Sequence, residues 1–150
     1  MTSLESYIAE LIQLDLGLEK FIDNQIMANK GQILQTIKLR LYNKGIDGNE
    51  NALFPYSKST IASKKNKGEV SSHTTLRDTG AFFRGMFIES YKGNIFISSS
   101  DSKTGILVAR YGEPIFDLTK YEQEQIVQTI IEPKLDAYLN SIDTQISLDL

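Results

Sequence analysis

Cysteine is absent from this 150-residue chain, histidine occurs once, and no apolar run approaches the roughly 18 residues that a membrane-spanning helix needs. The first absence excludes thiol nucleophiles, disulfide staples and thiolate metal sites, and fits a reducing compartment. The second leaves His73 as the lone imidazole, set in a polar stretch with no triad motif around it. The third, with an opening "MTSLESY" that lacks the basic and then apolar start of a secretion signal, predicts a protein made and used in cytoplasm, with no membrane partner. Glycines are ten in number, yet none falls into GxGxxG or GxxxxGK(S/T), so neither a dinucleotide fingerprint nor a phosphate loop is present. Asp47, Glu50, Asp78, Asp101, Glu113 and Asp117 are scattered singly, and "DGNEN" lacks the further oxygen ligands and closing glutamate of a calcium loop and reads as a turn. No cofactor and no metal is predicted, and no catalytic residue.

What is present suits an α+β protein. Hydrophobic residues make up 41% and charged residues 23%, the proportions of an ordinary folded chain, and the length suits one domain. A net charge of -3 is too mild to name a partner. Residues 1–44 read as helical: Thr2 and Glu5 have capping-box spacing before Leu4, Ile8, Leu11 and Ile12, and Phe21, Ile22, Ile26, Ile33, Leu34, Ile37 and Leu41 repeat beyond Gly17. Gly31 marks a bend or break in that stretch.

Residues 45–80 lose this periodicity and read as one long basic loop, far beyond the roughly 15 residues usual for a structureless connection. Its sparse apolar residues Leu53, Phe54, Tyr56 and Ile61 are candidate anchors on a partner. Lys58, Lys64, Lys65 and Lys67 are candidate phosphate neutralisers, able to bind nucleic acid without reading its sequence. Asp78, Thr79 and Gly80 form a turn, with the carboxylate available to backbone N–H groups and Gly80 free to take positive φ. An antiparallel β-meander is predicted over 81–110, with strands near 82–91, through Ile95 to Ile97, and over 106–110, and with turns at Lys92-Gly93-Asn94 and at 101–105. A helix over 119–142 opens on Thr119 and Glu122 and is kinked or restarted at Pro133. The last residues, 143–150, alternate Ile146, Leu148 and Leu150 with polar neighbours, the period of an extended tail that adds to a sheet edge on a neighbour.

Three stretches taken in order, "DGNENALFPYSKSTIASKKNKG", "TLRDTGAFFRGMFI" and "YGEPIFDLTKYEQEQI", resemble the tailed-phage virion morphogenesis or tail-completion family typified by that of phage Mu. The similarity rests on Asp47-Gly48, Phe54-Pro55, Ser57 to Thr60, Lys64 to Gly68, and Leu76 with Asp78-Thr79-Gly80. It continues in Tyr111-Gly112, Pro114-Ile115-Phe116 and Thr119 to Glu122, and covers about two thirds of the chain. The chain departs from that pattern in having no histidine before Tyr111 and in carrying Asp117 where glycine is frequent. The resemblance implies a non-enzymatic virion component at the neck or tail, assembling as a ring of copies of itself. Its implied partners are neck, portal or tail proteins, with packaged DNA nearby, and it would reside in host cytoplasm before assembly. Two other readings stand beside it: a small nucleic-acid-binding module using the lysines, and a hydrolase whose carboxylates meet only in the fold.

Overall fold

The structure, a computed structural model, describes residues 3–6, 8 and 17–149, with 142–149 described by their backbone alone. It is an α+β protein of helices and one antiparallel hairpin. Residues 4–6 and 8 are helical with Leu4 and Ile8 buried; Thr2, Leu11 and Ile12 lie outside the described residues. Helix α1, Leu18–Ala28, buries Leu18, Ile22 and Ile26, one residue per turn. It ends at Asn29, whose side-chain amide donates to the Gln25 carbonyl at 2.7 Å. Helix α2, Lys30–Lys44, begins one residue later and buries Ile33, Leu34, Ile37 and Leu41. The break therefore falls at Asn29, and Gly31 sits inside α2 facing open space. Gly45 terminates α2 at φ +62, its N–H bonding the Leu41 carbonyl at 3.1 Å, the usual conformation of a residue just past a helix end.

The chain divides into two compact units, one of residues 1–33, 89–96 and 120–150, the other of 34–88 and 97–119. In the first unit Phe21 of α1 stacks on Tyr138 at 4.5 Å between ring centroids. The Leu4 N–H donates to the Gln123 side-chain oxygen at 2.6 Å. The C-terminal region is helix α6, Lys120–Ile126, a π-helical turn over Val127–Ile131, and helix α7, Glu132–Asp149. The Glu132 N–H bonds the carbonyl of Val127, five residues back, and the Thr129 hydroxyl donates to the Gln125 carbonyl at 2.6 Å. Pro133, with no N–H to donate, follows directly, so the expected interruption takes the form of a widened turn just ahead of the proline. α7 then continues through Asp149, so 143–149 are helical and not an extended tail. An established helix gains a hydrogen bond with each added residue, whereas a lone strand has no partner to bond. Leu150 lies outside the described residues.

Strands β1, Met86–Tyr91, and β2, Asn94–Ser99, form the two-stranded sheet. Lys92 (φ 50) and Gly93 (φ 79) both take positive φ, as a two-residue hairpin loop matched to the strand twist requires. Within the first unit the Asp23 carboxylate accepts from the N–H groups of Lys92 at 2.8 Å and Gly93 at 3.0 Å, and from the Ser90 hydroxyl, so one side chain of α1 secures the loop.

The second unit departs from the expected loop and meander in three places. Residues 58–66 of the expected loop form helix α3, Lys58–Asn66, capped by Ser57, whose hydroxyl accepts from the Thr60 N–H at 3.2 Å. It closes on Gly68 (φ 70), with the Gly68 and Glu69 N–H groups bonding the Lys65 and Lys64 carbonyls. Ahead of β1 lies a helical turn, α4, Ala81–Arg84, entered through Gly80 at φ +88. The expected third strand is helix α5, Thr104–Tyr111. Its run Ile106-Leu107-Val108 is too short to separate strand from helix by periodicity, and the Thr104 N–H and hydroxyl instead bond the Asp101 and Ser99 carbonyls at 3.1 Å each to start a helical turn. A 3-10 turn over Glu113–Phe116 follows, burying Ile115 and Phe116, and Phe82 of α4 lies 5.6 Å from Phe116, ring to ring.

Candidate functional site

The second unit is held together by side chains that bond backbone across its loops. Arg40 is buried and donates to the carbonyls of Ile46 at 3.2 Å and Asp117 at 2.9 Å. Asp47 turns the chain by accepting from the N–H groups of Asn49 at 2.9 Å and Asn51 at 3.0 Å, which is the turn that "DGNEN" suggests. Gly48 lies so close to Asp117 that an added Cβ would stand 2.4 Å from it, and its N–H donates to the Pro114 carbonyl at 2.8 Å. A second tie joins residues 54–56 to 74 and 75. There the Thr74 hydroxyl donates to the Phe54 carbonyl, and the Tyr56 hydroxyl accepts from the Thr75 N–H at 2.9 Å. Between these ties Leu76 is buried at φ 59, a conformation that costs a bulky L-residue of the order of 1–2 kcal/mol.

Beside Leu76 opens a pocket of about 340 Å³, the candidate site. Buried Leu76 and Phe82 give it an apolar lining, Leu107 and Tyr111 of α5 reach it one helical turn apart, and Arg77, Lys103, Asp78 and Asp101 bring charge of both signs. Burial pushes the Tyr111 phenol above its ordinary value, so the ring presents a neutral hydroxyl. The hydrogen bond from Lys103 to Asp78, 3.1 Å long, and then the charge of that lysine hold the Asp78 carboxyl below its ordinary value. Asp78 is therefore an exposed ion-pair partner, and the hydroxyl that accepts from local backbone in this turn is that of Thr79, from the Ala81 N–H at 3.3 Å.

Lys64 differs from its neighbours. Its side chain is only 10% exposed, its ammonium donates to the Arg77 carbonyl at 2.8 Å and to the Glu69 carboxylate at 3.2 Å, and it lies 5.0 Å from the centre of the Tyr56 ring. It is a structural lysine, whereas Lys58, Lys65 and Lys67 are exposed. The helix explains the difference, because α3 turns one of its lysines inward. Among the expected anchors Leu53 is buried and Tyr56 and Ile61 are half-buried, so those three are engaged within the unit; Phe54 is 69% exposed. Residues 146 and 148 are helical in backbone and their side chains are not among those described.

His73 is half-buried, with Nε2 at 2.6 Å from the Tyr42 carbonyl and Nδ1 at 3.0 Å from the Ser72 hydroxyl. A carbonyl cannot donate, so the proton sits on Nε2, and the ring ties the end of α2 to the loop at 72–75. Sequence reasoning missed this role, together with those of Arg40 and α5; the signal available was a lone buried arginine in an otherwise apolar helical face. Among the described residues no three histidine, aspartate or glutamate side chains gather as metal ligands, and no helix is long and apolar enough to cross a membrane. No protein-family model, curated protein or solved structure matches this chain.

Proposed function

We propose that this chain is a structural subunit of a tailed-phage virion, a neck or tail-completion protein that assembles as a ring through protein–protein contacts and helps to join head to tail. The observation that carries the reading is the convergence of the stretches that give the family resemblance. Gly48 bonds Pro114, Tyr56 bonds Thr75 and Lys64 bonds Arg77, so the first two stretches and residues 111–119 of the third belong to one compact unit rather than to unrelated turns. An exposed aromatic side chain, Phe54, projects from that unit beside Pro55 and suits a contact with a neighbour. Exposed Lys58, Lys65 and Lys67 favour a second reading, contact with packaged or translocating DNA, which is compatible with a neck position. The test is to remove the gene from a phage genome that encodes it and to examine the lysate by electron microscopy, with mass spectrometry of wild-type particles. Unjoined heads and tails, and a stoichiometric copy number in wild-type particles, are expected. Normal joined particles that lack the protein would refute the proposal.

A further inference from the structure

The mild net charge conceals a strong division. The first unit carries twelve acidic and five basic residues, and the second carries seven acidic and eleven basic. In the second unit, α5 has no buried residue despite its apolar run, and Ile106 is 70% exposed. Leu107, Val108 and Tyr111 are half-buried, and so short a helix, marginal in water on its own, gains from further cover. Arg110, one turn on from Ile106, is exposed, as are Lys103, which pairs with Asp78, and Arg77, both at the pocket that Leu107 and Tyr111 line. In the first unit, Glu132 and Asp136 are exposed one turn apart on α7 with Lys134 exposed between them, and Tyr121 of α6, next to exposed Lys120, is 65% exposed.

We propose that copies of this chain join head to tail, the basic, apolar-centred α5 face of one copy seating on the acidic α6–α7 face of the next. Charge complementarity selects the occupant: the positive surface around Ile106 meets the carboxylates of Glu132 and Asp136, and Tyr121 supplies an aromatic anchor. A contact between two different surfaces leaves one of each free at the ends of every chain of copies, and it either closes into a ring or extends as a filament. The inference rests on the ring-assembly reading for closure, but the contact itself does not depend on a virion.

The experiment is sedimentation velocity of the full chain at about 0.05 M and about 0.5 M NaCl, where screening of such a contact differs strongly. Three variants accompany it: Ile106→Asp, the pair Arg77→Glu with Arg110→Glu, and the pair Glu132→Lys with Asp136→Lys. Concentration-dependent association at low salt is expected, weakened about tenfold or more by high salt and by each variant alone. Mixing the two charge-reversed chains should restore association, since each then offers the other a complementary face at both ends; misfolded chains would not recover this way. The proposal is overturned by a parent that stays monomeric at high micromolar concentration, by association indifferent to both reversals, or by assembly that appears only on added DNA. Self-association by this route in a protein absent from particles would keep the contact and end the neck assignment, whereas presence in particles with reversals of no effect would do the opposite.

Discussion

Replacing Lys64 by methionine keeps most of the aliphatic stem and removes the charge, and so isolates what the ammonium does inside the second unit. The variant leaves the Arg77 carbonyl without its 2.8 Å donor, the Glu69 carboxylate without its 3.2 Å partner and the Tyr56 ring without a cation. A hydrogen bond with a charged donor contributes about 1.5–3 kcal/mol, and the ring contact adds about 0.5–1 kcal/mol. Two effects offset part of this: Glu69 is 29% exposed and regains water, and the variant no longer desolvates an ammonium group. The net loss should be about 2 kcal/mol, or about 4–8 °C in Tm for a chain of this size. The triple variant Lys58→Gln, Lys65→Gln, Lys67→Gln alters only exposed groups and should lose less than about 0.5 kcal/mol per site. Urea denaturation followed by far-UV circular dichroism and by tyrosine fluorescence, in a protein with seven tyrosines and no tryptophan, reads both. A cycle with Glu69→Gln should return a coupling of about 1 kcal/mol. Lys64→Met as stable as the parent, or less harmful than the triple variant, would refute the assignment of Lys64 as a structural lysine.

Two further outcomes are expected. Gly45→Ala combines φ +62 with a Cβ placed 2.8 Å from the Thr74 carbonyl oxygen, and should lower stability by about 2–4 kcal/mol, while Gly31→Ala, inside α2 with nothing within 4 Å, should raise it by up to about 1 kcal/mol; equal effects in urea denaturation would contradict the described backbone. For Tyr111 the folded state favours the neutral phenol, so its contribution is full below the ordinary value of 10.0 and is lost as pH rises through the higher folded value. Spectroscopic titration should show a tyrosine component ionising above the ordinary value, which Tyr111→Phe removes, and its persistence in that variant would locate the effect elsewhere.

Helices with a buried stripe were legible in the sequence, because Ile22 and Ile26, and Ile33, Ile37 and Leu41, repeat at the helical period and do go inside. The hairpin was legible too, since Lys92-Gly93 has a residue that accepts positive φ between two alternating runs. Helix α3 was not, because "KSTIASKKN" offers a single large apolar residue and its signals are an N-cap serine and a closing glycine, which periodicity does not weigh. α5 failed for the opposite reason: three consecutive apolar residues fit strand or helix, and what decides is bonding at Asp101 and Ser99. The candidate pocket was only partly visible. Asp78, Thr79 and Gly80 drew attention as a turn, but their companions Lys103, Leu107 and Tyr111 come from a helix read as a strand.

The π turn at Val127–Ile131 has an evolutionary consequence. It holds one residue more than an α-helical turn needs, so a single-codon deletion there would turn everything beyond it by about 100° about the helix axis and set the Pro133 ring against the carbonyl of a regular helical turn. Glu132 and Asp136 would then point in a new direction, and Tyr138 would leave its stack on Phe21. Lineages could thus re-aim the outer face of α7 by that deletion together with changes at Pro133 and one aromatic pair, while Arg40, Asp47 and the rest of the second unit stay as they are.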